Sequence, residues 1–353
     1  MHREPFSSNV RGEPVVRYTL SNRNGLSMSI MNHGATLLSL LLPEGNGSKT
    51  DIILGHDTAA EYDFDSPYFG SVVGRFANRI RNAQFTLDGA HFHISANHGK
   101  HSLHGGHLGL SRILWSEGSE TGAEQLELTC TRPDGDQGYP GQLDVSVIYR
   151  LTDTNELHID YRAQSSKATP INLTHHAYFN LSGHNAGDCL DHILTLRADE
   201  FLPVDEQLIP TGERRSVNHT PFDFRTARRI GESIHDDDEQ IRRAGGYDHS
   251  FCLKPHPEGG LQEVAQVRDP KSAREMVVLT TEPGIQLYTG NQLNRQLIGK
   301  GNHPYSSFAG FCLETQHFPD SPNHPTFPNT ILQPEDTFKS STIYRFILSN
   351  QRT

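Results

Sequence analysis

Histidines and carboxylates stand in a few tight groups along this chain, and their types suit proton transfer. There are 21 histidines among 353 residues, and an unperturbed imidazole, with a pKa of about 6.5, gives or takes a proton near neutral pH. The densest group is Asn97 to Gly106, Asn-His-Gly-Lys-His-Ser-Leu-His-Gly-Gly, in which His98, His101, His104 and then His107 recur every three residues. Neutral imidazoles in such number invite a metal reading. A spacing of three aligns ligands only on a helix, and Gly99, Gly105, Gly106 and Gly109 break this stretch into a loop. The favoured reading is one histidine presented on a Gly-rich turn with the others in solvent, and a metal at the loop is the alternative.

Four further groups carry candidate chemistry. Pro170 to Gly183 holds the pair His175-His176 before Ala177-Tyr178-Phe179-Asn180-Leu181; on a strand, neighbours face opposite sides, so only one of the pair looks into a given cavity. Taken singly, each reads as a hydrogen-bonded structural histidine. Gly246 to Phe251 sets Asp248 among aromatics, by itself a turn residue bonded to local backbone. Phe311 to Asp320 places Glu314 after an apolar stretch, an odd position for a carboxylate unless something uses it or pairs with it. Gly74 to Ile80 contributes Arg75 and Arg79, either surface ion-pair residues or donors to hydroxyl groups.

The elements that must hold these groups have a period of two. Leu143, Val145, Val147, Tyr149 and Leu151 alternate with more polar residues, and Leu157, Ile159 and Tyr161 do the same after Asp153-Thr154-Asn155, which predicts a hairpin. Shorter runs of the same kind occur at Leu26-Met28-Ile30, Leu126-Leu128-Cys130, Ile285-Leu287 and Tyr344-Phe346-Leu348. Helical spacing is confined to Thr226–Ile234 and a stretch at Ala59–Tyr62, while the acidic run Asp236-Asp237-Asp238-Glu239 reads as a solvated loop. Many short strands punctuated by 31 Gly and 20 Pro predict an all-β chain, a large antiparallel sandwich with few short helices. No linker or repeat divides it, so residues 1–353 read as one domain.

Composition removes several functions. The balance of 31 Lys+Arg against 42 Asp+Glu, net −11, repels phosphate backbones, so no nucleic-acid partner is expected. No run approaches the roughly 18 apolar residues of a membrane helix, so no membrane partner is expected either. Four dispersed cysteines without a Cys-x-x-Cys pair, and no apolar leader after Met1, point to a reducing cytoplasm. Gly-x-Gly-x-x-Gly, Walker, Gly-x-Ser-x-Gly and His-Glu-x-x-His motifs are all missing, which leaves dinucleotide, nucleotide and simple serine-hydrolase chemistry without support.

Taken together, the five groups resemble the aldose 1-epimerase (galactose mutarotase) family. The likeness extends to Met31-Asn32-His33-Gly34-Ala35-Thr36, Asp134 to Gly141, Pro203 to Gly212 and Gly284 to Asn291, and covers roughly Tyr18 to Phe346. It implies a supersandwich of many antiparallel strands with a sugar cleft, and an isomerase that exchanges the α and β anomers of free aldoses such as galactose and glucose. By resemblance Glu314 is the general base toward the anomeric hydroxyl, and His176 the general acid toward the ring oxygen. His104 is a second active-site histidine near the reacting oxygens, while Asn78, Arg79, Tyr178, Asp248 and Gln286 are sugar-binding positions. The residue before the acid, often Asn in the family, is His175 here, and the Tyr-Phe-Asn-Leu spacing assigns the role to His176. No cofactor and no metal is implied; the expected partner is a small aldose, the expected state a monomer or homodimer.

Two other classes use the same residues. A glycoside hydrolase needs two carboxylates flanking the bond, for which Asp248 would have to accompany Glu314. A silent sugar-binding module would keep the cleft without the proton-transfer pair.

Overall fold

The alternating runs become strands wherever β-branched and aromatic residues bury one face. In Leu143–Leu151, Val145, Val147 and Tyr149 point into the core while Asp144 is exposed, and the strand pairs with Glu156–Ser165 in unbroken antiparallel register from Leu151↔Leu157 to Leu143↔Ser165. This is the predicted hairpin. In the computed structural model, which describes residues 1–63, 67–254, 256 and 259–348, these two strands lie within a nine-stranded antiparallel sheet. It runs in the order Ser116–Glu117, Gln125–Arg132, Leu143–Leu151, Glu156–Ser165, Phe338–Ile347, Glu275–Thr280, Gln262–Arg268, Ile193–Leu196, Arg228–Arg229. An N-terminal sheet runs from His2–Ser8 through Pro14–Ser21, Ser27–Met31 and Thr36–Pro43 to Lys49–Asp51.

A third sheet, ordered Arg215–Ser216, Ala198–Phe201, Asp248–Leu253, Gly284–Tyr288, Cys312–Gln316, carries the residues of interest. Its last three strands are buried along their whole length. One face, with Phe251, Ile285, Leu287 and Leu313, joins a continuous apolar core shared with Met28 and Leu40 of the first sheet and Val147, Ile159 and Val278 of the nine-stranded one. The other face is polar without being exposed, a pattern that calls for a cleft. Each aliphatic side chain in the shared core contributes about 1.5–3 kcal/mol on burial.

Three expectations change. Thr226–Ile234 is not helical: Arg228–Arg229 pairs with Leu194 and Ile193 at the edge of the large sheet, and only the 3-10 turn Ile230–Glu232 follows. Sheet pairing overrides the weak local preference of so short a segment. The acidic run is not all loop, because the Asp238 carboxylate accepts the Gln240 and Ile241 N–H groups and caps Glu239–Ala244, the one α-helix among the described residues. Among the loop histidines, His101 is buried, not solvated; its Nδ1 accepts the Asn82 N–H and its Nε2 meets Gln207 Oε1. Ala59–Tyr62 is a single 3-10 turn.

Candidate active site

Strand register fixes half of the site. Asp248 lies opposite Tyr288, which lies opposite Cys312, and one pleat further Gln286 lies opposite Glu314. Since side chains alternate between faces, Asp248, Gln286, Tyr288, Cys312 and Glu314 all stand on the polar face. Glu314 follows an apolar stretch because its neighbours Leu313 and Thr315 point the other way. Asp248 is held from two sides: Gln286 Nε2 donates to Oδ1 at 2.6 Å and Arg79 Nη2 to Oδ2 at 3.4 Å.

The opposite wall is built from turns. Arg79–Ile80 pairs with Ser102–Leu103, and the chain then turns through His104, Gly105 and Gly106, all with positive φ. A Cβ on Gly105 would sit 1.9 Å from the Gly74 carbonyl oxygen, so only glycine lets this turn press against the Gly74–Arg75 backbone. Asn78 and His104 lock reciprocally: the His104 N–H donates to the Asn78 carbonyl and the Asn78 N–H donates to His104 Nδ1, both at 3.1 Å. A nitrogen that accepts a backbone N–H is unprotonated, so the neutral ring carries its proton on Nε2.

His176 follows the short pairing of Thr174–His175 with Val72–Val73. Its ring stacks on Tyr178 at 5.1 Å between centroids and meets the His104 ring edge-on at the same distance. Its Nε2 is 3.7 Å from Glu314 Oε1. His175 faces away, edge-on to Tyr149 at 5.9 Å, with neither ring nitrogen hydrogen-bonded; it is a core residue, without the polar partner expected of a structural histidine.

The result is a cleft of about 500 Å³, open mouth included, within the range that takes a small molecule. The structure brings Glu314, His176, His104, Asn78, Arg79, Tyr178 and Asp248 to its lining. Gln286 does not reach the lining and stands behind Asp248. Tyr68, Leu103, Tyr288 and Gln292 also line it and were not singled out from the sequence. Tyr288 was legible, two residues beyond Gln286 on the same strand face, whereas Tyr68 and Gln292 sit on irregular chain with no periodic signal. Glu314 Oε2 and Arg79 Nε, on lining side chains, are buried without a partner, an acceptor and a donor suited to hydroxyl groups.

Burial sets the charge state. Desolvation pushes the Glu314 carboxyl well above the usual carboxylate range, with the nearby Asp248 charge adding to it. The same desolvation lowers His176 to about 4 and holds His104 well below an ordinary histidine. The two directions oppose each other, so burial favours a neutral carboxyl beside a neutral imidazole over a carboxylate beside an imidazolium. His104, His176 and Glu314 bring ligand atoms within 4.8 Å of one another, but with Nδ1 of His104 occupied by Asn78, its other nitrogen carries the ring proton and has no lone pair for a cation. The loop histidines do not converge either: His107 Nε2 meets the Ala96 carbonyl while His101 is engaged with Asn82 and Gln207.

The sequence pattern described as Aldose 1-epimerase matches residues 16–345. The galactose mutarotase of Bos taurus is 43% identical over 321 residues, 91% of each chain, and the aldose 1-epimerase of Escherichia coli K12 is 39% identical over 338 residues, 95% of this chain and 96% of that one. A crystal structure of an aldose epimerase homologue from C. elegans superposes with a TM-score of 0.87 at 32% identity, covering 94% of this chain and 98% of the other. With the β-rich fold and its cleft in place, this likeness along almost the whole length shows that the chain belongs to the aldose 1-epimerase family.

Proposed function

We propose that the protein is an isomerase that interconverts the α and β anomers of free aldoses, galactose and glucose among them. The observation that carries this reading is the pairing of Glu314 Oε1 with His176 Nε2 at 3.7 Å on the cleft wall. The anomeric hydroxyl and the ring oxygen hang on one carbon, so a base and an acid this close can serve both at once. Glu314 takes the hydroxyl proton while His176 delivers one to the ring oxygen, and the C1–O5 bond opens to the aldehyde. Rotation about C1–C2 presents the other face; His176 then recovers its proton as O5 attacks, and Glu314 returns its own to O1. The pair starts and ends each cycle with a single proton. Transfer of that proton across the 3.7 Å gap distinguishes the resting neutral pair from the reactive carboxylate and imidazolium.

The remaining residues orient the sugar. His104 offers its Nε2–H beside the reacting oxygens, Arg79 and Asn78 donate to hydroxyls, and Asp248, fixed by Gln286 and Arg79, accepts from them. Tyr178, whose hydroxyl donates to the Pro67 carbonyl, gives an apolar ring face. The reading takes residues 1–353 as one domain, supported by a core continuous from Tyr18 to Leu348. It takes the enzyme as a monomer or homodimer of hexose metabolism and places it in the cytoplasm, a reducing compartment that suits its four unbridged cysteines. Among the described residues no helix is long and apolar enough to cross a membrane.

Polarimetry of freshly dissolved α-D-galactose and α-D-glucose tests the assignment: equilibration should speed up in proportion to enzyme. A methyl galactoside, whose anomeric oxygen has no proton to give, should release no methanol. Sustained release of galactose from it, absent in Glu314→Gln, would overturn the reading in favour of a hydrolase.

A further inference from the structure

The cleft carries more acid than base. Of its described lining side chains, Asp248 and Glu314 are carboxyls and Arg79 is the one permanent cation. Arg79 is already engaged with Asp248, Nη2 to Oδ2 at 3.4 Å, and burial holds His104 and His176 toward their neutral forms. Glu314 is left with no cation of its own among the described residues. Its side chain is 3% exposed and its Oε2 has no partner. A neutral aldose does not change that balance. Three tyrosine rings stand around the same spot, Tyr178, Tyr68 and Tyr288, with centroids 5.1, 5.8 and 6.5 Å from that of His176. The faces of such rings attract cations.

We propose that the cleft is also a site for cyclic polyhydroxylated amines, aldose-shaped molecules in which a protonated secondary nitrogen replaces the ring oxygen, and that it holds them more tightly than the corresponding ethers. The proposal rests on the reading above, in which the ring position faces Glu314 and His176. Glu314 Oε1 and Nε2 of His176, unprotonated in the resting neutral pair, are 3.7 Å apart. One nitrogen between them can reach both at the roughly 2.7–2.9 Å of a charge-assisted hydrogen bond. The two N–H groups of the ammonium then meet one acceptor each, whereas an ether oxygen has no hydrogen to give to either. The protons balance within the cleft: Glu314 releases one and the amine takes it up, so that a neutral carboxyl and an amine become a carboxylate and an ammonium. In the aldose the ring oxygen acquires positive charge only in passing, as it accepts its proton. A ring nitrogen carries that charge from the start and binds as an analogue of the state in which the ring opens.

The test is calorimetric titration of the full chain with 1,5-dideoxy-1,5-imino-D-galactitol and with 1,5-anhydro-D-galactitol, which differ only in N–H for O at the ring. Near neutral pH the amine should bind about 10–100-fold more tightly, the scale of hydrogen bonds to a charged group. Its advantage should grow as pH rises from acid: the free carboxyl and the free ammonium each hold a proton there, the complex keeps one between them, and binding releases the other. The ether, with no such proton, should show no acid limb. In Glu314→Gln the amine should fall to within about threefold of the ether. An amine no tighter than the ether at any pH, or a preference that persists in Glu314→Gln, overturns the proposal. Should the variant fail to fold, the wild-type comparison still decides. Failure of the wild type to speed anomer exchange would instead overturn the reading of the reaction, a separate result because the titrations need no turnover.

Discussion

Two buried polar clusters lie on either side of the aromatic pair Phe69 and Tyr178, and they treat their charges in opposite ways. In the first, Lys300 Nζ donates to Asp51 Oδ2 and to the Ile53 carbonyl, both at 2.7 Å. Asp51 Oδ1 accepts the Leu40 and Ile53 N–H groups, and the Tyr305 hydroxyl receives the Gly55 N–H. The ammonium and the carboxylate are both met, and the cluster ties the loop around Lys300 to the N-terminal sheet. In the second, the cleft, Glu314 Oε2 and Arg79 Nε stay unpartnered at similar burial. A buried polar group without a partner costs about 1–3 kcal/mol. The difference separates a cluster that holds the fold from one whose missing partners a substrate supplies.

The sharpest way to break this contrast is Glu314→Gln. The amide keeps shape and hydrogen bonding but accepts no proton, so kcat should fall about 10²–10⁴-fold with KM little changed. Because the resting Glu314 carboxyl is already held toward its neutral form by burial and the amide has the same shape, the variant's melting temperature should be no lower than wild type. A kcat within about threefold of wild type removes Glu314 from the role of base.

His176→Asn should cripple kcat to a similar degree, whereas His175→Asn, on the core side of the same short strand, should stay within about threefold. Steady-state polarimetry of the two variants decides between them, and the reverse ranking transfers the acid role to His175. In the anchoring cluster the signature should invert. Lys300→Met leaves Asp51 buried without its cation and should cost about 3 kcal/mol of stability in urea unfolding, with kcat of the folded protein near normal. A large kcat loss at unchanged stability would place Lys300 in the catalytic machinery.

The smallest effect concerns acid. His104, His192 and His249 each accept a backbone N–H through a ring nitrogen, from Asn78, Leu181 and Asp248, which only the neutral ring can do. Burial lowers His192 and His249 to about 4, and His104 falls in the same direction. Folded values below the unfolded one mean that the unfolded chain binds more protons, so this stability is present above about pH 6.5 and lost as pH falls toward 4. His317, raised by Glu282, works in the opposite sense. Unfolding between pH 7.5 and 5.5 should show a net loss on the order of 2 kcal/mol, and a flat profile would mean that these rings are not held neutral.

Much of the fold was legible in local pattern. Alternation at Val145, Val147 and Tyr149 dictates a half-buried strand, and Asp153-Thr154-Asn155 dictates where it turns. The same logic failed at Arg228 and Arg229, whose strand exists only because Ile193 and Leu194 arrive from elsewhere in the chain to pair with them. The cap at Asp238 was also hidden, since an acidic run looks alike in a loop and at a helix N-terminus.

Residue type and spacing by themselves determined that acid–base chemistry was on offer, that Glu314 sat where a carboxylate needs a reason, and that His175 and His176 must face opposite ways. They did not determine which way. That was decided when Val72–Val73 paired with Thr174–His175 and turned His176 toward Glu314, 138 positions later in the chain, and when the Gly105 turn brought His104 against Asn78. Sequence period fixes the relative direction of neighbouring side chains, because that is a property of one strand. Which direction is the cleft is a property of the sheets that close around it, and it exists only once residues far apart in the chain have packed.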